Sequence, residues 1–243
     1  SMGTMLYEDF KKHGPWLTAL RRPAEFLTFR LPKAFFMMTD DGTKGDLVHA
    51  AWAPARANYD FLFWKTGVEF KSASNIRPSL ELPIHSYLFY AARVDDWKRQ
   101  DRVIRLLHLL HGRGHKIHIY FAGLTQSQAF LRKLHNLIRK YELQEYVHFL
   151  GAIMQDDVRN FARNAVANPS FYDVSNLGNV FFEIFSMGSV VVGLDDGSLN
   201  DYVSNGHNGF LVLDENVAAD VIENLLLGKI DGDVIRRRAS ETA

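Results

Sequence analysis

Residues 86–123 read SYLFYAARVDDWKRQDRVIRLLHLLHGRGHKIHIYFAG, and their pattern decides the fold. Two β-rich runs, SYLFYAA (86–92) and KIHIYFAG (116–123), flank a stretch where Val103, Leu106, Leu107 and Leu110 recur at i, i+3, i+4 and i+7. That spacing lays one apolar stripe along a helix, and Gly112 and Gly114 supply its stop. A third run, YVHFLG (146–151), starts 30 residues after the second, as the second does after the first. Thirty residues is the length of one strand, helix, strand unit. Phe130, Leu134, Leu137, Ile138 and Tyr141 repeat the helical stripe, and Val158, Phe161, Ala162 and Ala165 make a shorter one. Apolar runs follow at AVANPS (165–170), SVVVGL (189–194) and GFLVL (209–213). Buried strands alternating with amphipathic helices predict an α/β fold, a Rossmann-like doubly wound parallel sheet over residues 86–243.

Residues 1–85 read differently. Pro15, Pro23, Pro32, Pro54, Pro78 and Pro83 interrupt the pattern, and no clear strand, helix, strand period emerges. They are expected to be the remnant of an N-terminal domain with an interdomain linker. The segment LTALRRPAEFLTFRLPKAFFMM (17–38) mixes basic and aromatic residues, which suits contact with a membrane surface or a partner. The favoured alternative is that these apolar residues face a missing domain or the neighbouring Rossmann-like domain.

Composition narrows the function. The 243 residues carry 28 Lys plus Arg against 28 Asp plus Glu, so a general electrostatic grip on nucleic acid is not expected. With 47% hydrophobic and 23% charged residues the chain is globular rather than disordered. The absence of cysteine excludes a disulfide scaffold, a thiolate nucleophile and zinc sites with sulfur ligands, and fits a reducing, cytoplasmic setting. No apolar stretch approaches the roughly 20 residues of a bilayer span, and the start SMGTMLYEDFKKHG lacks the apolar core of a signal peptide.

In an open parallel sheet ligands bind at the carboxyl ends of the strands, so the loops after each β run carry the candidate chemistry. After the first run, Arg93 leaves the strand and Lys98 enters the next helix behind Asp95 and Asp96 as caps. A planar guanidinium fork and a compact ammonium five residues apart suit a diphosphate, although two solvated surface cations would look the same. The second constellation is ANPSFYDVSNLGNVFFEIFSMG (167–188). It reads as strand, loop, helix, with Gly178 permitting close backbone approach and the amides of Asn179 and Val180 attracting an anion at a helix start. Glu183 lies one turn into an otherwise apolar helix and needs partners, either the vicinal hydroxyls of a ribose or groups of the protein itself. Asp195, Asp196, Gly197 and Ser198 rim the same crevice, and Asn205-Gly206-His207-Asn208-Gly209 reads as a structural turn.

With these residues in place, the chain resembles the C-terminal nucleotide-sugar-binding domain of GT-B glycosyltransferases of the large retaining family, over about residues 40–243. The motifs are Arg93 with Lys98, the strand end Phe149-Leu150-Gly151, Pro169-Ser170, Gly178-Asn179-Val180, Glu183, and Asp201 before Asn205-Gly206 and Gly209. The resemblance implies that Arg93, Lys98 and Glu183 form the catalytic set and that Gly178, Asn179 and Val180 hold the donor diphosphate. It further implies that Glu183, Ser175 and Asp173 meet the donor sugar or ribose, and that Gly151, Ala152, Ile153 and Met154 meet the base. The family often places a Glu eight residues before the second Glu, and that position is Ser175 here. Asp41-Gly42-Thr43 and Trp64-Lys65-Thr66-Gly67-Val68 look like linker and interdomain contacts, and the chain is expected to be truncated at both ends. The intact enzyme is expected to take a UDP- or GDP-linked sugar and pass it, with retention of configuration, to a sugar or lipid-linked acceptor in polysaccharide synthesis. No metal or other cofactor is expected, and the fragment alone is expected to be inactive. Membrane contact would place the intact enzyme at the inner face of the membrane.

Other readings are weighed on the same residues. His108, His111, His115 and His118 invite a metal, but two fall in a turn and a strand with no carboxylate at ligand spacing, so solvated histidines are expected. Adjacent Asp195 and Asp196 offer no defined carboxylate separation for hydrolysis. A phosphorylase or nucleotide-sugar epimerase would use the same phosphate groups, and a noncatalytic binding or scaffolding module fits the missing first carboxylate.

Overall fold

The computed structural model describes residues 6–57, 59–65, 67 and 84–242. The chain divides into two units, residues 1–67 and 68–243, each described by itself. The boundary expected from sequence, between residues 85 and 86, lies just beyond the stretch 68–83, which is outside the described residues.

The first unit opens with three short helices, α1 (Leu6–His13), α2 (Pro15–Arg21) and α3 (Pro23–Arg30), followed by β1 (Phe35–Asp40), α4 (Gly45–Trp52) and β2 (Asp60–Lys65). Pro15 and Pro23 are not interruptions. Each is the first residue of its helix, where a missing N–H costs no hydrogen bond. Strands β1 and β2 pair in parallel, Phe35 opposite Asp60 through Asp40 opposite Lys65, with α4 as crossover. The strand, helix, strand period that the sequence did not reveal is therefore present over residues 35–65. Asp41-Gly42-Thr43 forms the turn between β1 and α4, with the Thr43 N–H donating to Asp41 Oδ1 at 3.1 Å, and is not a linker. Of the expected linker contacts, Thr66 and Val68 lie outside the described residues.

Trp52 packs edge to face with Phe29 and tilted against Phe10 in a core with Met38 and Val48, and its indole donates to the Pro15 carbonyl at 3.1 Å. The apolar segment 17–38 thus splits. Ala19, Phe29 and Met38 are buried, while Leu20, Leu27 and Leu31 are exposed.

The second unit carries β3 (Tyr87–Ala91), α5 (Gln100–Gly112), β4 (His118–Ala122), α6 (Gln128–Lys140), β5 (Val147–Gly151), α7 (Gln155–Asn164) and β6 (Asn168–Ser170). Then follow α8 (Asn179–Ser186), β7 (Val191–Leu194), β8 (Phe210–Val212), α9 (Glu215–Leu226) and α10 (Gly232–Thr242). All pairings are parallel, in the orders β3-β4-β5 and β6-β7-β8. A parallel bridge from Leu88 to Ala167 joins the two triplets, giving β5-β4-β3-β6-β7-β8. This is the predicted doubly wound sheet, and its order reverses between β3 and β6, where such folds open a ligand crevice.

The period-2 geometry of β3 explains its unbroken apolar run. Leu88 and Tyr90 point into one core with residues of α5, α6 and α9, and Tyr87 and Phe89 into the other with residues of α7 and α8. Side-chain caps close α6 and α9: Ser127 accepts from Phe130 N–H at 3.1 Å, and Asp214 accepts from the Asn216 and Val217 N–H groups.

Candidate functional site

The carboxyl ends of β3, β4 and β5 are bound to one another through backbone. Ala92 N–H donates to Ala122 O at 2.8 Å, and Gly123 N–H donates to Gly151 O at 2.8 Å. Gly123 has φ of 146°, and a Cβ there would stand 2.2 Å from the Ala92 carbonyl oxygen. Only glycine lets the loop after β4 pass this close to the loop that presents Arg93.

Arg93 leaves β3 exposed, its carbonyl accepting from the Gln100 amide at 2.8 Å. Lys98 lies in a 3-10 turn, Asp96–Lys98, rather than in α5, which begins only at Gln100. Asp95 therefore caps that turn and not the helix. Arg99 caps α5 with a left-handed backbone, φ 49°. The Lys98 ammonium is half-buried, 3.6 Å from the centroid of the Tyr172 ring. Burial, helped by the Arg93 charge and opposed by the Asp95 carboxylate, pushes its pKa below the ordinary lysine value.

The loop between β6 and α8 is pinned to this turn. Asp173 N–H donates to the Trp97 carbonyl at 3.2 Å, and Asp173 Oδ1 accepts from Arg99 Nη1 at 2.6 Å. Arg99 is a partner that the sequence reading did not name for Asp173. Ser175 Oγ accepts from Leu177 N–H at 3.2 Å. Asn176, buried at 1% exposure, ties the loop to its surroundings from both ends of its amide. Its Oδ1 accepts from Ser170 Oγ at 3.0 Å and Tyr172 N–H at 2.9 Å, and its Nδ2 donates to Asp196 at 2.8 Å. Asp196 also accepts from the Ser198 N–H and hydroxyl, so it is a bracket between loops rather than half of a hydrolytic pair.

Gly178, in extended conformation, is the N-cap of α8 and offers no side-chain cap to the amides of Asn179 and Val180. The first-turn amides of a helix have no acceptor within the helix and form an anion-binding end. Glu183, one turn on, is half-buried, and Gln155 Nε2 donates to its Oε1 at 2.6 Å. Of the two partner types expected for Glu183, the structure supplies one from the protein. Gln155 follows directly on the predicted base loop, where Gly151 has φ of 67°, Ala152 and Met154 are exposed and Ile153 is half-buried. Sequence reasoning missed Gln155, which belongs to no motif, and gave no role to Tyr172, although it lies within the stretch 167–188. The structure thus brings Lys98 to the loop carrying Asp173 and Ser175, and Glu183 to the end of the loop 151–154.

The histidines are not uniformly solvated. His111 is buried against Tyr146 and hydrogen-bonded with Ile117 O at 2.9 Å, His108 stacks on Tyr141, His115 bonds Glu223 and His118 pairs with His148. Among the described residues no group of three or more His, Asp or Glu could hold a metal, and no helix is long and apolar enough to cross a membrane.

A profile of the family described as glycosyl transferases group 1 matches residues 74–242, more than half of the chain. No curated protein matches. Among solved structures, HepE of Anabaena in complex with UDP-glucose superposes with a TM-score of 0.72 at 18% identity, over 98% of this chain and 65% of that one. Sucrose-phosphate synthase of Thermosynechococcus elongatus gives 0.71 at 19%, over 100% and 61%. The pneumococcal O-GlcNAc transferase GtfA in complex with UDP and GlcNAc gives 0.65 at 14%, over 86% and 41%. The chain spans less than two thirds of the length of each. At these identities the likeness speaks for the fold.

Proposed function

The chain belongs to the glycosyl transferases group 1 family, and from that premise we propose that residues 84–242 form the donor module of a retaining glycosyltransferase that takes a nucleotide-diphosphate sugar. UDP is the nucleotide favoured, because solved structures of the same fold hold it. The observation that carries the reading is the joining of the Lys98 turn to the loop leading into the uncapped start of α8. It puts a fixed cation and a set of helix-terminal amides on two linked loops at the switch point of the sheet.

In this reading Arg93, Lys98 and the Asn179 and Val180 amides bind the diphosphate and stabilise the charge that develops on it as the sugar leaves, with no metal required. Glu183 accepts from the ribose hydroxyls, with Gln155 holding its other oxygen, and Gly151, Ala152, Ile153 and Met154 flank the base. Ser175 and Asp173 stand near the donor sugar. Attack on the same face of the sugar, helped by the leaving phosphate, retains configuration, and the acceptor is a sugar or a lipid-linked sugar.

Calorimetric titration with UDP, GDP and ADP, each beside its sugar-linked form, tests the proposal. Selective binding at about 10 to 100 μM, roughly 6 kcal/mol, is expected. Glu183→Ala should weaken it by roughly 1.5 to 3 kcal/mol while the domain stays folded. Silence towards all ligands from a folded sample would mean either that a further domain is needed to complete the site or that the scaffolding reading is correct.

The lowered Lys98 pKa adds a pH dependence. The diphosphate binds the protonated ammonium, so affinity should be full near neutral pH and decline as pH rises through the Lys98 pKa, beginning below the ordinary lysine value. Lys98→Arg should flatten that decline, since a guanidinium keeps its charge. A flat wild-type profile between neutrality and the ordinary lysine value would remove Lys98 from the site.

A further inference from the structure

Lys98 differs from an ordinary surface lysine in what holds it. Its ammonium sits 3.6 Å from the centre of an aromatic face, and that face is itself immobilised. The Tyr172 phenol donates to Ala91 O at 3.0 Å, at the end of β3. Its N–H donates to the buried Asn176 side chain at 2.9 Å, and its ring packs edge-on to Tyr90 with centroids 5.7 Å apart. The Tyr90 hydroxyl in turn donates to the Lys98 carbonyl at 2.5 Å. Two tyrosines therefore grip one lysine, Tyr90 by its main chain and Tyr172 by its charge. Burial keeps the Tyr172 phenol protonated, so it acts as a donor and not as a base.

We infer that Tyr172 is the positioning residue of the Lys98 ammonium, setting where the phosphates of a bound nucleotide meet that charge. The inference rests on the donor-site reading above. A ring face attracts a cation without neutralising it, whereas a carboxylate partner would cancel the charge that the diphosphate needs. The surroundings fit that requirement. Asp173, the acidic residue next to Tyr172, is bound by Arg99 at 2.6 Å, and the carboxylate whose charge Lys98 feels, Asp95 three residues before it, acts more weakly than burial. Arg99 thus occupies the one acid that the loop brings beside the tyrosine, and the ring is left as the ammonium's support.

The test is calorimetric titration of the 243-residue chain with UDP and with uridine, in five forms: wild type, Tyr172→Leu, Tyr172→Phe, Lys98→Ala and the Lys98→Ala, Tyr172→Leu double variant. Tyr172→Leu is expected to weaken UDP roughly 3- to 30-fold, the range of a partly desolvated cation–π contact, and to lower the ratio of UDP to uridine affinity. Tyr172→Phe, which restores the ring, should recover most of the lost UDP affinity. In the Lys98→Ala background the leucine substitution should add nothing. If thermal unfolding shows that Tyr172→Leu does not fold, Tyr172→Met, unbranched and adaptable, takes its place. The inference is overturned if Tyr172→Leu leaves UDP binding at the wild-type level while Lys98→Ala weakens it. It is equally overturned if the leucine variant weakens uridine as much as UDP, or costs as much with Lys98 absent, because the ring would then be merely structural. A wild type that binds no UDP, or a Lys98→Ala variant that binds it undiminished, would take away the donor-site reading itself and this inference with it.

Discussion

Replacing Arg93 and Lys98 together by alanine is expected to lower UDP affinity roughly 10²- to 10⁴-fold, with far less effect on uridine. Each cation is assigned one charge-assisted contact with the diphosphate, worth about 1.5 to 3 kcal/mol, and the two contacts act on the same phosphates. The protein should stay folded. Arg93 is exposed, and Lys98 is half-buried at a desolvation cost that its removal relieves. Calorimetry beside thermal unfolding separates the outcomes. Undiminished UDP binding would withdraw the phosphate assignment, and loss of the folded state would make the pair structural.

The second large effect is expected at Gly123. A Cβ at this position would lie 2.2 Å from the Ala92 carbonyl oxygen, 2.5 Å from its carbon and 2.8 Å from the Arg93 nitrogen. All three are backbone atoms of the strand end that carries Arg93, so no side chain can swing away. Gly123→Ala should cost about 2 to 6 kcal/mol, combining overpacking with strain at a φ that L residues avoid. For a domain of this size that lowers Tm by on the order of 10 °C. Because the displaced atoms include Arg93 N, UDP affinity should fall in whatever fraction stays folded. Gly112→Ala is the matched control, since a Cβ there meets nothing within 4 Å. A Tm for Gly123→Ala equal to that of the control would show that the β3 and β4 ends do not pack as described.

Much of the second unit was legible in the residues alone. Residues 87–90, Tyr-Leu-Phe-Tyr, must serve two faces if they form a strand, and an unbroken apolar run suits only a strand covered on both. The stripe Val103, Leu106, Leu107, Leu110 and the turn glycines after it then leave little choice for the next element. The helix start at Asn179 follows from such local patterns, whereas strand order and its reversal between β3 and β6 came only with the pairing of distant segments. In the first unit the same reasoning failed, because short helices begun by proline and two six-residue strands leave too few turns or alternations to show a period.

The composition and periodicity of this chain were enough to determine a parallel α/β domain, and its ordered motifs were enough to point to the loops where a diphosphate would bind. Tertiary structure alone decided what each loop residue does. The pairing of Arg99 with Asp173 spans 74 positions and that of Gln155 with Glu183 spans 28, while Lys98 meets the Tyr172 ring only because both loops leave neighbouring strands at the switch point. Periodicity records which face of an element is buried. It holds no record of where a loop side chain ends, since that depends on the paths of two distant segments brought together by the sheet.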